Sequence, residues 1–195
     1  GADWTKLRIA GIRWYLITII DFFSRYIIGH NIVPNVNASH MKMIYRNGLR
    51  SQKIPLKWID KPELRVDLGS PNTSYITKDF FNEMGAALSF ARVRRPTDNA
   101  ITERFYGTIK QEEIYLVGDY PDELSAKEEI GKYIETYNNN RPHQSLWNFT
   151  PAYVHELNNK TTVIKILSEM KKQARYQRQI YWLNYKKEGY LNYGD

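Results

Sequence analysis

Three acidic residues stand in settings suited to metal-assisted chemistry at phosphorus. Asp3 opens Asp3-Trp4-Thr5, Asp67 sits in Val66-Asp67-Leu68-Gly69-Ser70, and Glu103 lies in Asp98-Asn99-Ala100-Ile101-Thr102-Glu103-Arg104-Phe105. Thirty-five residues separate Asp67 from Glu103, and Asp3 lies far upstream. Mg²⁺ is a hard ion that takes oxygen ligands, so three converging carboxylates can hold two such ions about 3.5–4 Å apart. One ion activates an attacking oxygen and the other stabilises a leaving oxygen, and no side chain need act as a covalent nucleophile. Phosphodiesters are natural substrates for that arrangement. Spacing alone does not single these acids out. An Asp after a strand is commonly a turn residue, and a Glu on a polar helix face is commonly just solvated. Asp21, flanked by Ile20 and Phe22, reads as a strand-end or buried structural acid.

The composition is compatible with a polyanionic partner. The chain of 195 residues has a net charge of +7 and a pI of about 9.4, which favours nucleic acid without requiring it. Its 42% hydrophobic and 14% aromatic content is that of a chain able to bury a core. The absence of cysteine excludes disulfides, iron–sulfur clusters and cysteine-bearing zinc sites. No signal peptide and no run of about 18 apolar residues is visible. A cytoplasmic protein associated with the nucleoid is the expectation. A chain that begins two residues before a candidate catalytic strand reads as a fragment of something longer.

The elements that must position the acids can be read from pattern. Lys6 to Ala10 alternates, Trp14 to Phe23 is nearly continuously apolar, and Tyr26 to Val33 follows a Ser24-Arg25 turn, which predicts three antiparallel strands. Gly11 separates the first two as a tight turn does. Further strands are expected at 63–67 and 88–93. Helices are expected at 38–49 with Asn37 or Ser39 near the cap, at 77–87, at 98–115, and at 125–137 with Ser125 capping. Strands first, then strand and helix in alternation, give an α/β chain with a mixed sheet covered by helices. In the 98–115 helix, at about 100° per residue, Asn99, Glu103, Tyr106 and Lys110 share a polar side, opposite Ile101, Phe105, Thr108 and Ile109.

The carboxyl-terminal segment is different. Residues 160–195 hold eight Lys or Arg against three Asp or Glu, a local charge of +5. Val163, Leu167, Met170 and Ala174 recur at helical spacing, so a basic, aromatic-rich helical extension is predicted. Two units follow, a core over 1–157 and the extension over 158–195. The extension reads equally as a surface for a partner subunit or for DNA. His30, His40, His143 and His155 have no metal-ligand spacing, and structural or surface roles are expected for all but His143, which supports its loop or touches DNA. Arg92, Arg94 and Arg95 precede the Glu103 helix and are expected to contact phosphate rather than only water.

Taken in order, the motifs resemble the catalytic core of DDE transposases of bacterial insertion sequences, which is similar to that of retroviral integrase. The resemblance runs from Asp3 to about Tyr153. Its anchors are Asp3-Trp4-Thr5, Ile20-Asp21-Phe22-Phe23-Ser24-Arg25-Tyr26, Asp67-Leu68-Gly69-Ser70, Arg95-Pro96-Thr97-Asp98-Asn99 with Glu103, Thr108-Ile109-Lys110, and Tyr137-Asn138-Asn139-Asn140-Arg141-Pro142-His143. It implies a ribonuclease H-like fold, with a five-stranded mixed sheet flanked by helices. It assigns catalysis and metal binding to Asp3, Asp67 and Glu103, with two Mg²⁺ (or Mn²⁺) ions. Asn99 and Lys110 match positions near the reacting DNA end, and Arg104 joins them as a DNA contact. Asp21 matches a position that is not a catalytic acid. The implied activity is cleavage at an element's 3′ end and joining to target DNA, carried out by at least a dimer. Arg65 stands where this group often has His, and Leu68 where a basic residue or Asn is common.

Overall fold

The structure is a computed structural model and describes residues 1–54, 61–67, 74–92, 99–157 and 159–191, with side chains to residue 185 at the carboxyl end. All five expected strands form. β1 (Ala2–Ile9), β2 (Ile12–Ile20) and β3 (Ile27–Val33) make an antiparallel meander. The β1–β2 turn places Ala10 and Gly11 at φ of 49° and 76°, the conformation whose twist matches the strands it joins. β4 (Leu64–Val66) and β5 (Leu88–Phe90) pair in parallel.

Among the described residues the strands form a three-stranded and a two-stranded sheet, where a single five-stranded sheet was expected. Among the described residues no backbone ladder joins β4 to the meander. β4 has only three residues, and its ladder goes to β5. Its Leu64 and Val66 reach the larger sheet through side chains, in one apolar cluster with Ala2, Ile17 and Ile19.

Helices cover both faces of the meander. α1 (Ala38–Ser51) starts at Asn37, whose side chain accepts the His40 N–H at 3.1 Å, an ordinary N-cap. α2 (Tyr75–Met84) begins two residues before the expected Thr77, because Ser74 supplies the cap. α3 (Ala100–Ile109) passes into a π turn at Lys110–Ile114 and a last turn at Tyr115–Val117, where one continuous helix was expected. α4 (Glu123–Asn139) is capped by Asp122 rather than Ser125. The Asp122 carboxylate accepts the Ser125 N–H at 2.8 Å, so Ser125 lies inside the first turn. α5 (Pro151–Leu157) and α6 (Lys160–Leu191) complete the described chain.

β2 is buried on both sides, as its apolar run predicts. Leu16 and Ile20 pack with Phe105 and Ile109 of α3 and Ile130 and Ile134 of α4. Ile17 and Ile19 pack with Met41 and Ile44 of α1 and Phe80 and Phe81 of α2. Among the described side chains, those of α6 that are buried lie at its start. Val163 and Leu167 are buried with Leu146 and Val154, whereas Met170, Tyr176, Tyr181, Trp182 and Tyr185 are exposed. A helix of which only the first two turns reach the core contributes little to it.

Asp21 is the structural acid that its apolar neighbours suggest. Its Oδ2 accepts the Ser24 N–H at 2.8 Å and the Ser24 hydroxyl at 2.6 Å. Ser24 Oγ lies 3.0 Å from His155 Nδ1, and His155 Nε2 lies 2.7 Å from Gln52 Oε1. The imidazole stacks on Tyr26 with ring centres 4.5 Å apart. This network ties the β2–β3 turn to α5 and to the end of α1. Burial works against the Asp21 charge, but the His155 imidazole, with Nδ1 3.7 Å from Oδ2, and the hydrogen bonds from Ser24 outweigh it and hold the carboxyl well below the ordinary carboxylate range.

A depressed folded-state pKa means stability that is present above the unfolded value, about 3.9, and lost as pH falls through the lower folded one. Asp21→Asn is therefore expected to cost roughly 1–3 kcal/mol at pH 7. The gap from the parent should close as pH drops below about 4. Urea unfolding at several pH values measures both; a gap that stays constant into acid would contradict the assignment.

Candidate active site

β1 carries Asp3 on the same face as Thr5, Leu7 and Ile9, the face that α3 covers. α3 runs over it because Thr102, Phe105, Tyr106 and Ile109 form its buried stripe. The polar side read from the sequence is corrected at one residue. Tyr106 is 5% exposed, because its ring belongs to the edge of the apolar stripe. Its hydroxyl still finds polar partners below the surface. It donates to the Asp3 carbonyl and lies 2.8 Å from Thr18 Oγ1, Thr18 being opposite Asp3 in the β1–β2 ladder. Burial drives the Tyr106 phenol well above its ordinary pKa, so it stays a neutral donor.

That tie fixes Glu103 one turn earlier on the exposed side of α3. Asn99, at the N-cap of α3, makes no capping bond with its side chain. Its Nδ2 donates instead to Asp3 Oδ2 at 3.0 Å, while Asp3 Oδ1 accepts the Trp4 N–H at 2.8 Å. Asp67 directly follows β4 and is half-buried. Burial pushes the Asp3 carboxyl up to about 6. The Asp67 and Glu103 charges add to the rise, against the hydrogen bonds from Trp4 and Asn99. The three acids are therefore electrostatic neighbours.

Oxygen-only donors that repel one another suit a hard divalent cation, which would relieve the repulsion. Among the described residues, however, no group of three or more His, Cys, Asp or Glu side chains is already closed enough to hold a metal. The acids are near without forming a cage.

The remaining candidates divide. Lys110 is half-buried at the end of α3, where the π turn begins, and such turns recur at functional sites. Arg104 is exposed beside Glu103, and Arg92 is exposed after β5. Arg94, Arg95 and the Leu68-Gly69-Ser70 loop lie outside the described residues. The Tyr106 and Asn99 contacts to Asp3 were not foreseen. The available signal was a large polar-tipped aromatic three residues after Glu103, at the margin of the apolar stripe.

Residues 84–151 match the Integrase core domain family, a span that contains Glu103 but neither Asp3 nor Asp67. The fold is that of retroviral integrase cores. The HTLV-2 integrase catalytic core domain in complex with magnesium superposes with a TM-score of 0.60 over 79% of this chain and 93% of that one, at 17% identity. An integrase chain of the simian T-cell lymphotropic virus intasome gives 0.64 over 79% of this chain and 52% of that one, at 14% identity. The chain is similar to the catalytic cores of transposases and integrases. Within that class its sequence relatives are bacterial transposases. It is 34% identical over 137 residues to the transposase for insertion sequence element IS904 of Lactococcus lactis, covering 68% of this chain and 51% of that protein. It is 29% identical over 149 residues to the putative transposase InsK for IS150 of Escherichia coli, covering 76% and 51%. The chain thus spans about half the length of these relatives.

Two outcomes are expected. Tyr106→Phe leaves the Thr18 hydroxyl and the Asp3 carbonyl short of a buried partner and should cost about 1–3 kcal/mol. Thr18→Val in the same chain should recover part of that loss, and additive effects in urea unfolding would contradict the tie. Asp3→Asn should act in the opposite direction. The folded state holds the Asp3 proton more tightly than the unfolded chain, so folding weakens as pH rises from about 4 to about 6 and stays weaker above. The Asn variant should be more stable than the parent by about 1–2 kcal/mol at pH 7.5 and gain nothing near pH 4. A variant less stable at pH 7.5 would refute this electrostatic picture.

Proposed function

We propose that this chain is the catalytic core of a DNA transposase that cleaves at an element's 3′ end and joins the hydroxyl to target DNA, with Asp3, Asp67 and Glu103 as its metal-binding carboxylates. The observation that carries the reading is the tie of α3, which bears Glu103, to Asp3 on β1 through Asn99 Nδ2 at 3.0 Å and the Tyr106 hydroxyl, with the Asp67 and Glu103 charges also acting on Asp3. The bacterial transposases among its relatives support it. Two Mg²⁺ or Mn²⁺ ions bound there would supply Lewis-acid activation of the attacking oxygen and charge neutralisation at the leaving one.

The chain's own residues do the rest. Trp4 N–H and Asn99 orient the Asp3 carboxylate. Tyr106 holds α3, and with it Glu103, against β1. Asn99, Lys110, Arg92, Arg94, Arg95 and Arg104 are assigned to the DNA. Phosphate contacts from such residues fix the register of a strand rather than read its sequence.

Two DNA ends must be held together for joining, so the proposed working form is at least a dimer, cytoplasmic and associated with the nucleoid. No helix among the described residues is long and apolar enough to cross a membrane. Residues 158–195 are assigned to a separate extension with a role in assembly or DNA affinity.

The test is Asp67→Asn. It keeps nearly the same shape but removes a charge that metal needs. Mg²⁺- or Mn²⁺-dependent joining of labelled DNA ends should fall by about 100-fold or more, with the melting temperature kept. Unchanged joining would remove Asp67 from the site. Cleavage without any joining by the parent would make the core a nuclease.

A further inference from the structure

α3 separates two polar surfaces of opposite sign. Glu103 faces the acidic cluster, and the next residue, Arg104, lines a cleft of about 530 Å³ on the other side. Arg25, from the β2–β3 turn, and Arg141 and His143, from the segment after α4, line it as well, together with Thr108 and Gln144. Three segments distant in sequence therefore bring three guanidinium groups to one concavity. No carboxylate lines it among the described residues.

The charges are only partly compensated. Arg141 is ion-paired with Glu112 at the rim. Among the described residues, Arg25 and Arg104 have no ion-pair partner. Arg25 is held in the left-handed region at φ 65°, and its guanidinium is tethered to the Phe22 carbonyl. A non-glycine residue in that conformation carries a conformational cost. The like charges are felt within the cluster. Burial lowers the pKa of His143, and the Arg141 and Arg25 charges lower it further. His143 Nε2 is buried and has no hydrogen-bond partner. A cluster of three forked donor groups, of which only Arg141 is ion-paired, matches the oxygens of a phosphate.

We propose that the cleft formed by Arg25, Arg104, Arg141 and His143 is a phosphate-binding site that seats a backbone phosphate of a DNA strand on the far side of α3 from the acidic cluster. That the phosphate belongs to DNA rests on the function proposed above; that the cleft takes phosphate does not. Arg104 and Glu103 are consecutive, so one helix would fix both the seat of the strand and a carboxylate of the metal site.

The test titrates the whole chain, in chloride buffer, with inorganic phosphate and with a single-stranded DNA dodecamer, while following the His143 ring resonances by NMR. Both probes should shift His143. Arg104→Gln, an exposed change that should leave the fold intact, should weaken the dodecamer several-fold and flatten its salt slope by about 0.7. If the dodecamer binds without moving His143 or sensing Arg104→Gln, the site is wrong, while the proposed metal-dependent reaction is untouched. If phosphate shifts His143 and the dodecamer does not bind, the site serves free phosphate and the DNA assignment fails. A His143 that responds to neither probe overturns the inference altogether.

Discussion

The hydroxyl of Tyr106 is the contact on which the geometry of the candidate site depends. It is buried under α3, donates to the Asp3 carbonyl and meets Thr18 on the neighbouring strand. An unmade hydrogen bond at that depth costs about 1–3 kcal/mol, so α3 cannot slide along the sheet without breaking a contact it cannot replace. Register between helix and sheet is thereby fixed at the point where β1 presents Asp3 and α3 presents Glu103. The apolar stripe of Thr102, Phe105 and Ile109 supplies the adhesion; Tyr106 supplies the position.

Around that fixed point the molecule accepts an electrostatic cost. Asp3 is half-buried, and burial above all, with the Asp67 and Glu103 charges adding to it, raises its carboxyl to about 6. Hydrogen bonds from Trp4 and Asn99 offset only part of this. Asp21 is the contrast. It is also partly buried, but Ser24 and His155 surround it with donors, and its charge is secure. Two aspartates near the same end of the antiparallel β1–β2 pair thus have opposite environments. One is built into the structure, and the other is left in want of positive charge.

Much of this could be read from the residues. Alternation in Lys6 to Ala10 placed β1, the apolar run placed β2 as a doubly buried strand, and Asn37 marked the start of α1. What pattern could not supply was pairing and depth. Three-residue strands carry too little periodicity to say which neighbour receives their ladder, hence the split of the expected five-stranded sheet. Tyrosine is both apolar and polar, so a helical wheel could not decide that Tyr106 turns inward. Ser125 and Asp122 are both good caps, and the carboxylate won by accepting both the N–H and the hydroxyl of Ser125. The Asp21–Ser24–His155 network joins residues over a hundred positions apart, beyond the reach of any local rule. The candidate acids were legible through their surrounding motifs; their mutual effect on Asp3 needed the fold.

The central claim is that Asp3, Asp67 and Glu103 together form a divalent-metal site. Paramagnetic line broadening by Mn²⁺ tests it most directly, because it maps the ion without any assumption about DNA. Broadening at sub-stoichiometric Mn²⁺ should centre on the resonances of Asp3, Asp67 and Glu103, spread to Trp4 and Asn99, and be reversed by excess Mg²⁺. Broadening centred on other acids, with these three unaffected, would contradict the account.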